Sequence, residues 1–415
     1  MEYGLIGEKL GHSFSKIIHE QLADYTYTLQ QLNQQEFTSF MEQRNFKAIN
    51  VTIPYKKAVI PYLDHIDEKA DKIQAVNTIV NKDDKLYGTN TDYDGFYYTL
   101  KKHHIYVRNK KVLICGDGGA AQAIKAVLRD EGCKEMICIR RTSTPTTISY
   151  EEARTKHQDS EVIVNTSPCG MYPNHLELPL DLADFPNCEA VVDIIYNPLH
   201  TRLCVQAKKR KMKYAGGLEM LVAQAKYAIE FFTQQKLSDA VIDTIVKQLL
   251  IEKRNIVLIG MPSCGKTTIA EALAKQMKRE YVDLDEMIVK KSNQSIKAIM
   301  AEGGEASFRK LEHEAVIEIS KQQGLIIATG GGVVKNPANM EYLAMNSVLF
   351  YIKRDLSQLL VDDNRPLSSS KEAIKALWEE RKTLYPLYAD YEIENNADIN
   401  QATTQILSAF TYTKQ

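Results

Sequence analysis

The chain has 415 residues, more than one hydrophobic core usually supports, so its length predicts two or three packing units. Its 52 Lys and Arg balance 53 Asp and Glu, which excludes the broad basic surface that binds nucleic acid or anionic membranes. No apolar run approaches the roughly 20 residues that span a bilayer, and the seven cysteines lack the spacing of a metal site or disulfide framework. We therefore expect a cytoplasmic protein that binds neither nucleic acid nor membrane.

The first 250 residues alternate short β-rich runs with amphipathic stretches, a pattern typical of βα units and mostly parallel sheets. Within this half, two longer stretches, 217–232 and 238–250, predict helices, the second with Ser238 as its N-cap. This half is therefore expected to be α/β. The predicted strands are Tyr3–Ile6, Ala48–Ile53, Thr78–Asn81, Lys111–Cys115, Glu135–Ile139, Val162–Thr166 and Val191–Ile195.

A glycine-rich turn follows the strand at 111–115. Residues 116–121 read Gly-Asp-Gly-Gly-Ala-Ala and precede an apolar helix, which fits the βα turn that holds the pyrophosphate of a dinucleotide. The next strand ends in two arginines and a threonine, where an enzyme that prefers NAD commonly has an acidic residue. Two cations favour a 2′-phosphate and hence NADP(H). The candidate cofactor residues are Gly116, Gly118, Gly119, Ala120, Arg140, Arg141 and Thr142.

Seven other segments of this half share an order and composition with a known family. Together they resemble shikimate dehydrogenase along residues 1 to about 250. The resemblance implies a substrate-binding domain over 1–105, completed by helices 218–250, and a Rossmann NADP-binding domain over 106–217. The segments are Gly-His-Ser-x-Ser at 11–15, Asn-Val-Thr-Ile-Pro-Tyr-Lys at 50–56, Ala-Val-Asn-Thr at 75–78, Gly-x-Asn-Thr-Asp at 88–92, Asn-Thr-Ser-x-x-Gly-Met at 165–171, Asp-Ile-Ile-Tyr-Asn-Pro-Leu at 193–199 and Gly-x-x-Met-Leu-Val-x-Gln at 217–224.

Hydride transfer to or from a ring alcohol requires a group that moves the hydroxyl proton. The resemblance implies that Lys56 and Asp92 are the catalytic pair for this step. The alternatives are that Lys56 is a solvated loop cation, that Ser13 and Ser15 are turn or cap residues, and that Asn77 forms hydrogen bonds at a strand end. The residues implied to hold substrate are Ser13, Ser15, Thr52, Asn77, Tyr196 and Gln224, and Gly217 is implied to lie at the cofactor.

Two features depart from the pattern of this family. Asp117 stands in the glycine turn where the family often has a small neutral residue, and a carboxylate there would repel a pyrophosphate unless it points away. Pro145 stands where the family often has a basic residue after the arginine pair. Both departures bear on cofactor affinity more than on the fold.

A short polar stretch at 252–255 separates the two halves, and the β pattern restarts at 256–259. We therefore expect a second domain over 253–415. Residues 260–267 read Gly-Met-Pro-Ser-Cys-Gly-Lys-Thr between a predicted strand and a predicted helix, which is the P-loop pattern. Such a loop cradles ATP phosphates, and its hydroxyl binds Mg²⁺. The candidate nucleotide residues are Gly260, Cys264, Gly265, Lys266, Thr267 and Thr268.

The segments that follow the P-loop narrow the kind of P-loop enzyme. They are Asp-Leu-Asp at 283–285, Gly-Glu-x-x-Phe-Arg at 304–309, Ala-Thr-Gly-Gly-Gly at 328–332, Arg-Pro-Leu at 365–367, and an arginine at 381 four residues before a tyrosine. In this order they resemble shikimate kinase over 254–400. The resemblance implies a P-loop kinase with a parallel sheet and a mobile lid.

The resemblance also implies a role for each of these residues. Catalytic Asp285 would grip the acceptor hydroxyl in line with the γ-phosphate that Lys266 contacts. Asp283, with Thr267, would serve the Mg²⁺ shell, although a carboxylate after a strand often caps the next turn instead. The remaining implied contacts are Arg309 and Arg381 with the acid's carboxylate, Gly331 and Gly332 with its ring, and Arg365 of the lid with the nucleotide phosphates.

The two resemblances together predict a bifunctional enzyme of aromatic amino acid biosynthesis. The first half would reduce 3-dehydroshikimate with NADPH, and the second would phosphorylate the resulting shikimate with ATP. One alternative is a quinate/shikimate-type dehydrogenase paired with a kinase of similar polyol acids. Another is a nucleotide-sensing regulator, but that class would be expected to lose chemical residues such as Lys56, Asp92 and Asp285 while its binding loops persist.

Overall fold

The structure is a computed structural model that describes residues 1–10, 14–360 and 370–412. The chain divides into two compact units, Met1–Gln248 and Leu249–Gln415. Ser13 and Arg365, which the sequence implies in substrate and nucleotide binding, lie outside the described residues. Within the described ranges, none of the helices has both the length and the apolar composition needed to cross a membrane.

The first sheet of the N-terminal unit has the strand order β2-β1-β3-β5-β6-β4 and is mixed. The pairs β3/β5 and β5/β6 are antiparallel, and the other pairs are parallel. Its strands are β1 (Tyr3–Gly7), β2 (Tyr27–Gln31), β3 (Ala48–Val51), β4 (His65–Ile66), β5 (Thr78–Lys82) and β6 (Lys85–Thr89). The helices around it are α1 (Ser15–Leu22), α2 (Gln34–Gln43), α3 (Glu68–Ile73) and α4 (Thr91–Lys102).

The second sheet of this unit is parallel, with the order β11-β10-β9-β7-β8. Alternate residues of β7 enter different cores, because successive side chains of a strand point to opposite faces. Val112 and Ile114 pack towards α5, whereas Leu113 and Cys115 face the opposite side. The elements are β7 (Lys111–Cys115), α5 (Gly119–Asp130), β8 (Glu135–Ile139), α6 (Tyr150–Lys156), β9 (Val162–Asn165), β10 (Ala190–Asp193), α7 (Arg202–Lys209) and β11 (Lys213–Ala215).

Two helices follow the second sheet, α8 (Gly217–Thr233) and α9 (Ala240–Lys253). Helix α8 packs against α1, α4 and β5, all of which belong to the first sheet's layer. The approach is close at Gly95 of α4, where a Cβ atom would lie 2.8 Å from the Met220 carbonyl oxygen. This contact brings α8 residues to the end of the first sheet.

The C-terminal unit has one parallel sheet with the order β13-β14-β12-β15-β16. The central strand β12 is buried along its whole length, as the apolar run 256–259 predicts for a parallel sheet covered on both faces. The strands are β12 (Asn255–Ile259), β13 (Tyr281–Asp283), β14 (Ile326–Ala328), β15 (Ser347–Lys353) and β16 (Tyr391–Glu394). The helices are α10 (Lys266–Met277), α11 (Leu284–Ser292), α12 (Ile296–Ile319), α13 (Pro337–Ala344), α14 (Lys371–Arg381), α15 (Leu384–Tyr388) and α16 (Ile399–Tyr412).

The expected α/β class with mostly parallel sheets is confirmed. The antiparallel pairs of the first sheet were not anticipated, nor were several strands of low hydrophobicity, including β2, β4 and β11. These strands are short or polar, so their sequences carry little periodic signal.

Candidate active sites

The N-terminal unit brings Lys56 and Asp92 into direct contact. Lys56 Nζ lies 2.5 Å from Asp92 Oδ2, and the two side chains are only 13% and 10% exposed. Asp92 lies in the first turn of α4, and Asn77 Nδ2 donates to its other oxygen, Oδ1, at 2.9 Å. Because both oxygens are engaged, the carboxylate holds the lysine ammonium in one orientation.

Asn77 organises this end of the first sheet. Its Oδ1 atom accepts hydrogen bonds from the Thr91 backbone N–H at 2.8 Å and from Thr78 Oγ1 at 2.9 Å. Thr91 Oγ1 in turn donates to Gln224 Oε1 of α8 at 3.5 Å. Asn77 thus forms hydrogen bonds at the start of β5 and also contacts Asp92 of the Lys56–Asp92 pair directly.

Three other implied substrate residues lie within the described ranges, in or beside the layer of the first sheet: Thr52, Ser15 and Tyr196. Thr52 follows β3, and its backbone N–H donates to the Ile6 carbonyl at 2.9 Å. Ser15 is the buried first residue of α1. Tyr196 packs its ring 5.5 Å from that of Phe14, the neighbour of Ser15, and burial raises the pKa of the Tyr196 hydroxyl.

The glycine turn after β7 lies beside the Lys56–Asp92 pair. Gly116 has φ +100°, and a Cβ there would lie 3.0 Å from the Ser167 backbone nitrogen. A Cβ on Gly118 would meet nothing within 4 Å, and one on Gly119 would lie 3.8 Å from Lys56 Cδ. The turn therefore has open space at the start of α5, beside Lys56, which fits the pyrophosphate and nicotinamide parts of a dinucleotide.

The remaining cofactor candidates lie at the end of β8 and at the start of α8. Arg140, Arg141 and Thr142 are exposed at the end of β8, where a ribose 2′-phosphate would be reached. Gly217 is buried, and a Cβ at this position would lie 2.7 Å from the Ile195 carbonyl carbon. Its lack of a side chain lets α8 begin against the segment that carries Tyr196.

A buried carboxyl group that the sequence did not single out as functional supports that segment. Asp193 Oδ2 accepts hydrogen bonds from Thr201 Oγ1 at 2.7 Å and Asn165 Nδ2 at 3.0 Å, and Oδ1 accepts one from the Ile195 backbone at 3.0 Å. Burial raises its pKa to about 6, although these hydrogen bonds oppose the shift. Asp193 thereby joins the ends of β9 and β10.

The P-loop of the C-terminal unit wraps around the start of α10. Lys266 Nζ donates to the carbonyl oxygens of Gly260 at 3.0 Å and Met261 at 2.8 Å. Gly265 has φ +98°, and a Cβ there would lie 2.5 Å from Asn395 Nδ2, which donates to the Cys264 carbonyl at 2.8 Å. The next candidates are Thr267 and Thr268, in the first turn of α10, the latter exposed.

The two residues implied to hold Mg²⁺ are brought together. Thr267 Oγ1 donates to Asp283 Oδ2 at 2.7 Å. Asp283 also caps α11, because its Oδ1 accepts from the Asp285 backbone N–H at 2.9 Å. The residue therefore combines the capping role with a place beside the P-loop hydroxyl. A hydroxyl and a carboxylate oxygen next to a phosphate loop fit the few protein ligands that Mg²⁺ uses.

The second pocket of this unit is formed around the glycine stretch 330–332. A Cβ on Gly330 would lie 2.9 Å from Asp285 Oδ1 and 3.0 Å from Glu312 Oε1. A Cβ on Gly331 would lie 2.7 Å from Pro262 Cδ of the P-loop, and one on Gly332 would overlap the Arg309 guanidinium. The stretch therefore lies between the phosphate loop and the side chains of Asp285, Glu312 and Arg309.

Tyr385 connects Arg381 to the same stretch. Its hydroxyl donates to the Gly331 carbonyl at 2.6 Å, and its ring stacks on Tyr351 with centroids 5.0 Å apart. Arg381 is 2% exposed, and its charge opposes the rise that burial causes in the pKa of Tyr385. Arg381 Nε donates to Glu380 Oε2 at 3.1 Å.

Three glutamates engage the cations of this pocket, and the sequence did not predict them. Arg309 donates from Nε and Nη2 to Glu305 Oε1 at 3.1 and 3.0 Å, and from Nη1 to both oxygens of Glu312 at 3.0 and 2.9 Å. Lys335 Nζ lies 3.1 Å from Glu305 and 2.8 Å from Glu380. The available signal was helical spacing, since Glu305 and Glu312 stand four residues before and three after Arg309.

Both units match known protein families. Residues 5–79 match the shikimate dehydrogenase substrate binding domain, and residues 262–411 match shikimate kinase. The shikimate dehydrogenase (NADP(+)) of Clostridium beijerinckii is 38% identical over 252 residues, which are 57% of this chain and 93% of the relative. The chain belongs to the shikimate dehydrogenase family.

Solved shikimate dehydrogenases share the fold of the N-terminal unit. The enzyme from Peptoclostridium difficile is 32% identical with a TM-score of 0.55, and covers 60% of this chain and 98% of its own. A chorismate mutase/shikimate 5-dehydrogenase fusion protein from Clostridium acetobutylicum is 34% identical with a TM-score of 0.56, over 60% of this chain and 96% of that one. In the present chain the dehydrogenase is followed by a shikimate kinase domain, so the chain is a bifunctional shikimate pathway enzyme.

Proposed function

We propose that the chain carries out consecutive reactions on one carbocyclic acid. The N-terminal unit reduces 3-dehydroshikimate to shikimate with NADPH, and the C-terminal unit phosphorylates shikimate to shikimate 3-phosphate with ATP. The observation that carries the proposal is the Lys56–Asp92 contact beside the glycine turn, together with a P-loop beside an arginine pocket. A Thermus thermophilus shikimate 5-dehydrogenase solved with NADP(H) and shikimate is 26% identical, with a TM-score of 0.54.

In the first reaction Lys56 is the proton donor. NADPH, when bound, supplies the hydride. As the ring carbonyl becomes a hydroxyl, its oxygen gains negative charge, and Lys56 Nζ donates the proton that this oxygen requires. Asp92 holds the lysine ammonium in place through the 2.5 Å ion pair. We assign Thr52, Asn77 and Gln224 to the ring hydroxyls.

Other residues of the first unit would fix the acid and the cofactor. Ser13 and Ser15 are proposed to hold the substrate carboxylate, with Tyr196 beside them. The glycine turn and Gly217 would hold the pyrophosphate and nicotinamide end of NADP(H), because the backbone is open there. Arg140, Arg141 and Thr142 would bind the 2′-phosphate, since two exposed cations at a strand end suit a phosphate dianion.

In the second reaction we propose that the chain holds the acceptor hydroxyl of shikimate in line with the γ-phosphate of ATP. Asp285 would accept the hydrogen bond of the acceptor hydroxyl, while Arg309 and Arg381 would pair with the acid's carboxylate. Gly331 and Gly332 would allow the ring to approach the backbone. Lys266 would leave the carbonyls of its own loop and contact the phosphates, a change that replaces two neutral partners with a charged one.

Metal and lid complete the kinase proposal. Thr267 and Asp283 would hold Mg²⁺, which supplies neutralisation of phosphate charge when bound. Gly260, Cys264, Gly265 and Thr268 would contribute the loop contacts to ATP. Arg365 remains a predicted lid residue.

The domain organisation is likewise a proposal. We assign residues 1–105 with helices 218–250 to substrate binding, 106–217 to NADP(H) and 253–415 to the kinase. The separate sheets and the packing of α8 on α1 and α4 support this division. We further propose that the enzyme works in the cytoplasm on small molecules, without nucleic acid or membrane. The balanced charge and the seven free thiols, all on described residues, support this.

A split assay on the full chain tests the function. We expect Lys56→Ala to abolish NADPH consumption with 3-dehydroshikimate and to leave ATP consumption with shikimate intact. Lys266→Ala should have the opposite effect. The matched controls are Lys57→Ala and Lys275→Ala, exposed lysines of the same segments, which should retain both activities.

Two results would contradict the proposal. If either substitution silenced both reactions, the two sites would not be independent. If wild type turned over quinate faster than shikimate in the NADP⁺-dependent direction, the substrate assignment would be replaced by the quinate/shikimate alternative.

A further inference from the structure

Asp117 places a negative charge in the turn that must receive the cofactor's phosphates. It follows Gly116 directly and precedes the open backbone at Gly118 and Gly119. Two like charges in van der Waals contact repel one another, and the repulsion is several times stronger at a protein surface than in bulk water. An uncompensated carboxylate here would therefore oppose NADP(H) binding.

The structure shows how this charge is balanced. Lys125, two turns into α5, forms an ion pair with Asp117 Oδ1, and Gln122 Nε2 donates to the same oxygen at 3.1 Å. The Asp117 and Lys125 side chains are only 20% and 22% exposed. The carboxylate is thus drawn along the side of α5 rather than left facing the helix N-terminus.

Lys125 also lies on the sheet face that leads to the arginine pair. Its neighbour Cys138 is on β8, and Arg140 follows two residues later, so the Cβ atoms of both point to the α5 face. Burial lowers the pKa of Lys125, but Asp117 and Cys138 raise it by more, so the ammonium remains charged. With Lys125 present, Asp117 is neutralised and the charge of the arginines is available to phosphate.

We propose that Lys125 is a positioning residue for NADP(H) binding: it neutralises Asp117 and holds it away from the phosphate site. This inference rests on the proposed use of NADP(H) by the N-terminal unit. Lys125 needs no contact with the cofactor for this role. Its effect on affinity must therefore depend on the presence of the Asp117 carboxylate.

A double-mutant cycle on the full chain tests this dependence. The dissociation constant for NADP⁺ is measured by calorimetry for wild type, Lys125→Gln, Asp117→Asn and the double variant. We expect Lys125→Gln to weaken binding about tenfold or more, and the double variant to return to within about threefold of wild type, because the repelling charge is gone. Asp117→Asn alone should bind no more weakly than wild type, and Lys125→Arg should keep wild-type affinity.

The controls separate this role from a general effect on the fold. Lys156→Gln removes an exposed lysine of α6, beside the same sheet, that pairs with Glu152 at 2.9 Å, and should leave NADP⁺ binding unchanged. The KM for shikimate should stay near wild type in Lys125→Gln, whereas a structural defect would move both constants. Raising the salt concentration should reduce the Lys125→Gln penalty.

Each other outcome has a definite meaning. Wild-type affinity in Lys125→Gln, or equal weakness in the double variant, would overturn the proposal. If Lys125→Gln fails to fold, weaker binding by Asp117→Asn overturns it instead. A wild-type chain that does not bind NADP⁺ at all would refute the cofactor assignment of the proposed function rather than the role of Lys125.

Discussion

The dehydrogenase and kinase pockets solve one recognition problem, a small carbocyclic acid, with opposite use of charge. In the first pocket one lysine and one aspartate form an isolated pair, and both are assigned to the reaction. In the second, Arg309 is engaged by two glutamates, and Lys335 and Arg381 share a third. On these assignments we expect the proton-donating lysine to need one fixed partner. Arg309, by contrast, can be positioned by buried Glu312 while the substrate carboxylate replaces the more exposed Glu305.

The largest effect is expected in the isolated pair. Asp92→Asn should lower kcat for 3-dehydroshikimate reduction by about 10²–10⁴-fold, because Lys56 loses the charge that orients it for proton transfer. Asp94→Asn is the matched control, since Asp94 lies on the same helix and also pairs with a lysine, Lys69, at 2.5 Å. Equal losses in the two variants would show that any ion pair on α4 matters, and the contrast between the pockets would fail.

The next effect concerns the buried glutamate of the kinase pocket. Glu312 is 1% exposed; burial raises its pKa, while its ion pair with Arg309 opposes the shift. Glu312→Gln should raise the KM for shikimate about tenfold or more, because a charge-assisted contact that fixes Arg309 is lost. Steady-state kinetics should show an unchanged KM for ATP. Exposed Glu314→Gln on the same helix is the control, and a similar rise there would contradict the prediction.

The third prediction concerns the buried carboxyl group of Asp193. Unlike Glu312, which pairs with an arginine, Asp193 is held by neutral hydrogen-bond donors. The pKa of Asp193 is raised to about 6, so the folded chain binds its proton more tightly than the unfolded chain. The resulting stability is present at low pH and is lost as pH rises through 6. Between pH 7 and pH 5 the N-terminal unit should gain about 1 kcal/mol in its free energy of unfolding from this group.

The measurement is urea unfolding at pH 5, 6 and 7, with the loss of dehydrogenase activity as the reporter of the N-terminal unit. The single tryptophan, Trp378, lies in the kinase unit, so its fluorescence reports the unfolding of that unit separately. Asp193→Asn should remove the gain at pH 5. The same pH dependence in wild type and variant would show that Asp193 does not titrate near pH 6.

The smallest effect is a gain of affinity at the more exposed glutamate. Glu305 is 39% exposed, follows Gly304 at a break in α12 where φ is +69°, and occupies two donors of Arg309. Glu305→Gln should lower the KM for shikimate about two- to fivefold, because the substrate carboxylate no longer displaces a charged competitor. Glu302→Gln, on the turn before, should have no effect. An increase in KM for Glu305→Gln would mean that this glutamate positions Arg309 instead of competing for it.

Much of the architecture and chemistry could be predicted from local sequence. The strands Lys111–Cys115 and Glu135–Ile139 have the predicted bounds, because in each a polar residue is followed by four consecutive apolar residues. The two enzyme families could be predicted because phosphate and substrate sites use short motifs on single turns. The antiparallel pairs β3/β5 and β5/β6 could not, since pairing depends on which strands meet in space.

The sequence by itself determined which chemical groups the two enzymes possess, including the lysine at 56, the P-loop lysine at 266 and the arginines at 309 and 381. Only the tertiary structure decided what each charge faces. The sequence predicts that Asp117 repels a pyrophosphate unless it points away, and in the structure its carboxylate forms an ion pair with Lys125. The reason is physical: the effect of a charge depends on distance and burial, and the folded chain sets both.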